Sequence, residues 1–160
     1  MTIKVGDRVP EAVFLVMEEG EIKPVSSAEL FGGKKVALFG IPGAFTPTCS
    51  ASHLPGFVKN AGALKAKGVD TIACVSVNDV FVMNAWGKDQ GVGDDVLMLA
   101  DGSGDFAKVT GLVFDLSEKG LGVRNQRYSA VIDDGVVSEF NLDEPGAFEV
   151  SSAEIMLEQL

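Results

Sequence analysis

The sequence predicts an α/β protein built around a mixed β-sheet. Residues 35–41 are almost wholly apolar, as is typical of a strand that is covered on both faces, and residues 69–77 predict a second buried strand. A stretch with helical periodicity lies between them, and this strand–helix–strand order is the unit from which parallel sheets are built. Asp133-Asp134-Gly135 separates two later apolar stretches and predicts a hairpin. The late strands are therefore antiparallel, and the sheet is mixed.

The first half of the chain is predicted to hold alternating strands and helices. They are a hairpin with strands over 12–16 and 22–25, a short helix over 26–31, a strand over 35–41, a helix over 57–67 and a strand over 69–77. Ser26 and Glu29 have the spacing of a capping box and mark the start of the first helix. Gly68 is placed to end the second helix, because glycine tolerates the left-handed conformation that closes a helix.

The second half continues the alternation. Its predicted elements are a helix over 80–88, a strand over 96–100, a helix over 104–110, strands over 127–132 and 136–141, and a helix over 152–160. Asn78 and Asp79 can cap the helix that follows them. This order fits a thioredoxin-like fold with an N-terminal β-hairpin extension better than a Rossmann fold, and the glycine-rich phosphate-binding motifs are absent from the sequence. No linker or repeat divides the chain, so we expect one domain over residues 1–160.

The chain is acidic. Its 13 basic and 23 acidic residues give a net charge of −10. Such a surface repels phosphate backbones and anionic lipids, so we expect neither a nucleic acid nor a membrane as a partner. The N-terminal residues lack the apolar core of a secretory signal, so we expect a cytoplasmic protein.

Cysteine and histidine are scarce. The chain has two cysteines, Cys49 and Cys74, and one histidine, His53. Two cysteines do not make a secreted disulfide framework, and a reducing compartment keeps both as thiols. Three unevenly spaced ligands are also too few for the usual zinc site, which has four. We therefore expect no bound metal.

Residues 40–50, with the sequence GIPGAFTPTCS, follow a buried strand at the place where α/β proteins bind ligands. Thr48 is predicted to be the N-cap of a helix, which places Cys49 in the first turn, where free N–H groups and the helix dipole favour a thiolate. A free thiol with a pKa of about 8.5 is only about 3% ionised at pH 7. Lowering this pKa to about 6 needs about 3.4 kcal/mol, whereas a helix end contributes at most about 2 kcal/mol. A reactive thiolate therefore needs a further donor, either the Thr46 hydroxyl or a distant arginine.

The residues alone leave alternatives open. Cys49 is either a reactive thiolate or a buried, inert cysteine in a turn. Cys74 stands among β-branched residues in a predicted strand, which favours a small buried apolar residue. His53 either tunes the site or is a hydrogen-bonded structural residue, and the second interpretation is favoured. Nothing in the sequence specifies a group to orient His53, so a cysteine-protease dyad is not predicted.

Several blocks of the sequence resemble a single family. Pro42, Thr46 and Cys49 form the pattern P-x-x-x-T-x-x-C, which resembles the active-site signature of the peroxiredoxins. Further blocks resemble the type II, or peroxiredoxin-5-like, subfamily: residues 40–50, 53–57, 64–68, 75–79, 86–87, 99–101 and 127–129. The similarity runs from about Gly6 to the C-terminus.

This resemblance implies a thiol peroxidase that needs no cofactor. In the family, the cysteine that matches Cys49 attacks the O–O bond of hydrogen peroxide or an alkyl hydroperoxide and becomes a sulfenic acid. The threonine that matches Thr46 hydrogen-bonds to the thiolate and the peroxide, and the proline that matches Pro42 shields the site from water. An arginine on a later strand orients the peroxide, and the block Gln126-Arg127-Tyr128-Ser129 assigns this role to Arg127.

The resemblance also carries expectations for neighbouring side chains. Phe45 is expected to line the peroxide-binding site. Arg124 either assists Arg127 or is a solvated side chain, and the solvated side chain is favoured. Trp86, Phe45 and Phe81 can be core residues, but in the family this part of the surface forms a dimer contact. A partly exposed Trp86 would fit a homodimer.

The expected enzyme is reset by an external thiol. Some relatives carry a resolving cysteine near the C-terminus, but the matching residues 146–152 include none. Cys74 is expected to lie in a central strand, and a disulfide to Cys49 needs Cα atoms within about 7 Å, so that route would require local unfolding. Glutathione with glutaredoxin is the expected reductant, and thioredoxin is the second choice. The rival interpretation is a redox sensor or a disulfide oxidoreductase without peroxidase turnover, although Ser52 removes the C-x-x-C motif of a reductase.

Overall fold

The computed structural model describes residues 2–160. The strands in this range are β1 Val13–Glu18, β2 Glu21–Ser26, β3 Lys35–Ile41, β4 Thr71–Ser76, β5 Leu97–Ala100, β6 Val113–Leu116, β7 Gly122–Asn125, β8 Tyr128–Asp133 and β9 Val136–Leu142. The helices are α1 Ser27–Phe31, α2 Leu54–Lys59, α3 Ala61–Ala66, α4 Val80–Asp89, α5 Asp105–Thr110 and α6 Ala153–Gln159. A π-helical turn, Cys49–His53, precedes α2, and a 3₁₀ turn, Ser117–Lys119, joins β6 to β7.

The main sheet has seven strands in the order β2-β1-β5-β4-β3-β8-β9. Strands β3, β4 and β5 are parallel neighbours, whereas β8 and β9 on one side and β1 and β2 on the other are antiparallel. The predicted mixed sheet and the N-terminal hairpin are therefore confirmed. Strands β6 and β7 form a separate two-stranded ribbon.

The central strands are buried on both faces. In β3, Phe39 and Ile41 point into an apolar cluster that helices α2, α3, α4 and α6 cover. Leu38 points the other way, into a cluster that includes residues of α1 and α5. Because neither face meets water, the strand has no polar side and its sequence is continuously apolar. Within residues 2–160, no helix is long and apolar enough to cross a bilayer.

Three of the predicted helix starts are confirmed by capping bonds. A backbone N–H donates to the capping side chain in each case: Glu29 to Ser26, Val82 to Asp79 and Ile155 to Ser152. Each such bond stabilises its helix by about 1 kcal/mol. Asn78, the alternative cap for the helix after β4, instead accepts a hydrogen bond from Ala44 in the loop that follows β3.

The helix predicted over 57–67 differs from the structure. Helical residues begin at position 47, and Asn60, with φ −98° and ψ 9°, separates α2 from α3. The helical turn at Cys49 was predicted separately from Thr48, and the structure joins it to the later helix and begins it at Pro47, where a proline is tolerated because no N–H partner is needed. The early start matters because it includes Cys49 in the helical segment.

The β6–β7 ribbon lies in a region for which no element was predicted. Its strands have four residues each, and Gly120 and Gly122 take positive φ angles of 74° and 68° where the chain turns back. Short strands with glycines between them resemble loop sequence. The ribbon brings Arg124 to the end of β3.

Candidate active site

The loop after β3 is held in a strained conformation. Phe45 has φ +64°, an uncommon value for a residue other than glycine. The backbone N–H of Ala44 donates to Asn78 Oδ1 at 3.0 Å, and the hydroxyl of Thr46 donates to the carbonyl of Gly43 at 2.6 Å. Strained backbone of this kind persists only where neighbouring contacts fix it, and it concentrates at functional sites.

A helical turn begins directly after this loop. The N–H of Ser50 donates to the carbonyl of Thr46 at 3.0 Å, and Pro47 takes the first helical position. Thr48 is itself helical, with φ −66° and ψ −37°, and its side chain caps nothing. The prediction of Thr48 as the N-cap is therefore wrong. Cys49 still stands in the first turn, where backbone N–H groups lack partners within the helix.

The sulfur of Cys49 is buried and in contact with an arginine. Cys49 is 0% exposed, and its Sγ accepts a hydrogen bond from Nη2 of Arg127 at 3.2 Å. The two residues are 78 positions apart in the sequence. Arg127 therefore places a cation on the sulfur of Cys49.

Thr46 is arranged differently from the expectation. Its single hydroxyl proton is directed to the carbonyl of Gly43 rather than to Cys49. A hydroxyl that donates its proton keeps lone pairs as acceptors. Thr46 is therefore suited to accept a hydrogen bond from a substrate O–H and not to donate one to the thiolate.

The charge of Arg127 is not neutralised by a carboxylate. Its other terminal nitrogen, Nη1, bonds to Nδ1 of His53 at 2.9 Å, and its guanidinium lies 5.7 Å from the ring centre of Phe148. The ion pairs formed within residues 2–160 are Lys4–Asp7, Lys23–Glu18 and Lys65–Asp95. Because none of these includes Arg127, its positive charge stays available to an anion at Cys49.

His53 is a buried and fully hydrogen-bonded side chain, as the favoured interpretation predicted. Nε2 bonds to the carbonyl of Ser151 at 2.9 Å, and Nδ1 bonds to Arg127. Burial first, and the neighbouring Arg127 charge second, lower the pKa of His53 to about 3. The ring is therefore neutral near pH 7.

Arg124 is not a solvated side chain, so that expectation is wrong. It is half-buried, and it donates from Nε to the carbonyl of Leu121 at 2.8 Å and from Nη1 to the carbonyl of Pro42 at 3.1 Å. A glycine at position 43 makes this approach possible, because an added Cβ would lie 2.6 Å from Arg124 Nη1. Arg124 ties the β6–β7 ribbon to the loop that carries Pro42.

Of the three aromatic residues considered for a dimer contact, one is buried and two are exposed. Trp86 is 0% exposed, and its Nε1 donates to the hydroxyl of Ser50 at 3.0 Å. Of the two alternatives left open for Trp86, the structure shows the core residue and not the partly exposed side chain that would fit a homodimer. Phe45 and Phe81 are 54% and 63% exposed. Phe45 lies at the rim of the loop, directly before Thr46.

A C-terminal loop completes the site, and the sequence reasoning missed it. The carboxylate of Asp143 accepts hydrogen bonds from the N–H groups of Glu149 and Val150, at 2.9 Å each, and from the hydroxyl of Ser151. Burial raises the pKa of Asp143, but the bonds from Ser151 and the backbone outweigh burial and leave that pKa below its usual value. An acidic residue eight positions before a serine carries no sequence signal for this arrangement.

Cys74 lies in the same apolar cluster as Cys49, at the centre of β4. It is 0% exposed. Burial raises its pKa well above the usual value, and the charge of Cys49 raises it further. Cys74 is therefore a neutral thiol, as its sequence context predicted.

Two cavities have different relations to this site. A small one of about 120 Å³ is lined by Pro42, Thr48 and Arg127 together with Phe114, Gln126 and residues 143–146. A larger one of about 760 Å³ opens between β1, α4 and β5, and neither Cys49 nor Arg127 lines it. The small cavity lies beside Arg127, but neither Cys49 nor Thr46 lines it. Residues 2–160 contain no group of three or more His, Cys, Asp or Glu side chains that could hold a metal ion.

Comparisons with known proteins agree with this geometry. Residues 4–157 match the family described as Redoxin. The chain is 56% identical over 164 residues to "Peroxiredoxin-2E-2, chloroplastic" of Oryza sativa subsp. japonica, a match that covers 99% of this chain and 73% of the relative. It is 49% identical over 159 residues to "Peroxiredoxin-2B" of Arabidopsis thaliana, with 99% and 98% covered.

Solved structures give the same result. The chain superposes on reduced Prx3 from Vibrio vulnificus in complex with H₂O₂ with a TM-score of 0.95 at 49% identity, covering 99% of each chain. It superposes on peroxiredoxin 5 from Alvinella pompejana with a TM-score of 0.85 at 32% identity, covering 98% of this chain and 96% of the other. The chain therefore belongs to the redoxin family, and within it to the peroxiredoxins. The predicted thioredoxin-like fold is confirmed, and the activity is that of a thiol peroxidase.

The expected compartment is corrected by the same comparisons. Relatives at 56% and 53% identity are both named chloroplastic. The expectation of a cytoplasmic protein is therefore contradicted. It rested on a few N-terminal residues, which carry too little information to assign a compartment.

Proposed function

We propose that Cys49 is the peroxidatic nucleophile, that it forms a sulfenic acid, and that glutathione with glutaredoxin resets it. The observation that carries the proposal is the 3.2 Å contact between Arg127 Nη2 and Cys49 Sγ, made by a cation that no carboxylate within residues 2–160 neutralises. A fixed cation and N–H donors in a buried pocket stabilise charge without reorganising during the reaction.

The proposed step forms one bond and breaks another. The Cys49 thiolate attacks the terminal oxygen of ROOH, an S–O bond forms and the O–O bond breaks. The departing RO⁻ takes up a proton and leaves as ROH, which is water when the substrate is hydrogen peroxide. Sulfur is oxidised to the sulfenic acid, the first step of cysteine oxidation.

Each neighbouring residue has a proposed part in this step. The hydroxyl of Thr46, whose proton is given to Gly43, accepts the O–H of the peroxide. Arg127 stabilises the negative charge that grows on the departing oxygen. Pro42, held by Arg124, keeps bulk water from the sulfur. Phe45 stands at the exposed rim and contacts the organic group of an alkyl hydroperoxide.

The proposed reset uses one cysteine of the protein. Cys74 is fully buried and its pKa is raised, so it supplies little thiolate for attack on the sulfenic acid. An external thiol gives a mixed disulfide with Cys49 and water, and a second thiol then releases the reduced enzyme. Cys49 is itself 0% exposed, so its turn must open before the external thiol arrives. The reset by an external thiol therefore also requires a local opening of the structure.

We include a homodimer in the proposal. Phe81 and Phe45 are large apolar side chains with 63% and 54% of their surface exposed, and both lie on the active-site side of the main sheet near α4. Aromatic side chains are enriched at protein interfaces. Sedimentation velocity should give a dimer for the wild type and a monomer for Phe81→Glu, and a monomeric wild type would remove this part of the proposal.

The experiment that tests the proposed reset compares two reducing systems. Peroxide consumption is followed with glutathione plus glutaredoxin and, separately, with thioredoxin plus its reductase. We expect sustained turnover with the first system, retained by Cys74→Ala. Loss of turnover in Cys74→Ala, or accumulation of a Cys49–Cys74 disulfide, would show a two-cysteine route. A single reaction per molecule with either system would instead favour the redox sensor.

A further inference from the structure

His53 occupies a position between the arginine of the site and the C-terminal loop. It is 1% exposed and is the last residue of the π-helical turn that begins at Cys49. Its ring packs among the rings of Phe39, Phe57 and Phe148, with centroid distances of 5.0, 5.7 and 5.0 Å. The imidazole is thus fixed in one orientation by packing on several sides.

The hydrogen bonds of the ring define its tautomer. A guanidinium can only donate, so Nδ1 of His53 must accept the N–H from Arg127. The ring proton is therefore on Nε2, and it is donated to the carbonyl of Ser151. The low pKa of His53, caused by burial first and by the Arg127 charge second, agrees with a ring that stays neutral.

The neutral ring determines where the arginine points. One terminal nitrogen of Arg127 donates to Nδ1 of His53 at 2.9 Å, and the other donates to Sγ of Cys49 at 3.2 Å. The guanidinium is planar and rigid. Once one nitrogen and the ring of Phe148 fix its plane, the second nitrogen has little freedom to leave the sulfur.

The far end of His53 is fixed as well. Ser151 accepts the Nε2 proton through its carbonyl, while its hydroxyl donates to the carboxylate of Asp143. The N–H of Asp143 in turn donates to the carbonyl of Arg127 at 3.0 Å. A closed circuit of hydrogen bonds therefore connects Asp143, Ser151, His53 and Arg127.

We propose that His53 is a positioning residue of this peroxidase, which acts by holding Arg127 on Cys49 and does not touch the peroxide. The inference rests on the proposed function, because the arginine must stabilise the transition state for its position to matter. Two properties of the ring carry the effect: an acceptor at Nδ1 that faces the guanidinium, and a donor at Nε2 that anchors the ring to the loop.

Two amide substitutions separate these properties. The amide oxygen of asparagine can take the place of Nδ1, so His53→Asn keeps an acceptor for Arg127 and loses the anchor to Ser151. Glutamine reaches the place of Nε2, so His53→Gln keeps the anchor and leaves Arg127 without its acceptor. The reduced proteins are mixed with hydrogen peroxide in a stopped-flow instrument, and the fluorescence of Trp86, the only tryptophan, reports the reaction near Ser50.

We expect His53→Gln to lower the second-order rate constant by about tenfold or more, since small displacements of a catalytic group have costs of this size. His53→Asn should lose less than about threefold, by the same reasoning. The thermal stability of both variants is also measured. If the role of His53 is purely structural, the rate constants of His53→Gln and His53→Asn should follow their thermal stabilities. Equal losses, or a larger loss in His53→Asn, would overturn the proposal.

A double-mutant cycle keeps the test decisive if either variant is destabilised. His53 acts through Arg127, so adding His53→Gln to Arg127→Ala should change the rate by no more than about twofold. An undiminished loss in the Arg127→Ala background would overturn the proposal. Failure of the proposed function is a different result, because wild-type protein would then react with peroxide no faster than free glutathione.

Discussion

At the scale of single residues, the site depends on which acceptors receive the hydrogen bonds of Thr46 and Arg127. Thr46 gives its proton to Gly43, Arg127 divides its donors between His53 and Cys49, and no carboxylate within residues 2–160 pairs with the arginine. Hydrogen bonds to charged groups are stronger in a buried site than in water, because the effective dielectric constant is lower. The positive charge of Arg127 is therefore directed to the sulfur of Cys49 and not to a carboxylate.

Substitution of the arginine tests this division. Arg127→Ala should lower the second-order rate constant for hydrogen peroxide by about 10²-fold, as expected for loss of one transition-state donor. Arg127→Lys keeps the charge but not the planar pair of donors. Its rate constant should lie between those of the wild type and of Arg127→Ala. Rates are measured by stopped-flow mixing under single-turnover conditions. An unchanged rate in Arg127→Ala would assign the role to another residue.

Excess peroxide should inactivate the enzyme at Cys49. The sulfenic acid can react with a second peroxide to give a sulfinic acid, which thiols do not reduce. Peptide mass spectrometry should show about 32 Da added to the peptide that contains Cys49, from two oxygen atoms. Cys74 is the internal control, since it is buried and its pKa is raised. Equal oxidation of both cysteines would argue against a selectively activated thiolate.

At the scale of elements, the site is assembled where several chain segments meet. The loop after β3 supplies Thr46, the following helical turn supplies Cys49, and the residue before β8 supplies Arg127. Two side chains from other elements hold this loop. Arg124 of the β6–β7 ribbon bonds to Pro42, and Asn78 after β4 bonds to Ala44. The strained backbone at Phe45 is maintained by these contacts.

Removal of one of these contacts should loosen the loop. Arg124→Ala leaves the carbonyl of Pro42 without its donor, and a hydrogen bond to a charged group contributes about 1.5–3 kcal/mol. We expect the free energy of unfolding to fall by about that amount and the peroxide rate to fall with it. Lys119→Ala is the matched control, because Lys119 is an exposed cation next to the same ribbon. Equal behaviour of the two variants would contradict a structural role for Arg124.

The sequence predicted the strands better than the contacts of the site. β3 and β4 were predicted because continuous apolar residues are needed wherever both faces of a strand are covered. The β6–β7 ribbon was missed because its short strands and glycines resemble a loop. The contact between Arg127 and Cys49 joins residues 78 positions apart, so no local pattern specifies it. Arg127 was assigned through a family resemblance, whereas Asp143 and Ser151 had no signal at all.

At the scale of the whole molecule, protonation of His53 couples the site to folding. His53 is the only histidine, and its pKa in the folded protein is lowered from 6.5 to about 3, by burial first and by Arg127 second. Between these values the unfolded chain binds a proton that the folded protein does not. Stability therefore rises with pH through this window and is lost as the pH falls.

This coupling gives a prediction about stability. The free energy of unfolding should fall by about 1.4 kcal/mol per pH unit between about pH 6 and pH 4 on account of His53. His53→Asn removes the titration, so the difference between the two proteins isolates the histidine from the carboxylates, including Asp101, whose pKa burial raises. Urea unfolding at several pH values gives the slope of the free energy of unfolding against pH for each protein. Parallel curves for wild type and His53→Asn would contradict a buried, neutral histidine.

The most direct test of the whole account is the reaction of reduced protein with hydrogen peroxide, followed through the fluorescence of Trp86. The wild type should show one phase whose rate rises linearly with peroxide and exceeds that of free glutathione by orders of magnitude. Cys49→Ser should show no such phase while unfolding at a similar urea concentration, because an alcohol is a poor nucleophile near neutral pH. A wild-type rate equal to that of free glutathione, or a phase retained in Cys49→Ser, would contradict the assignment of Cys49 as the activated nucleophile.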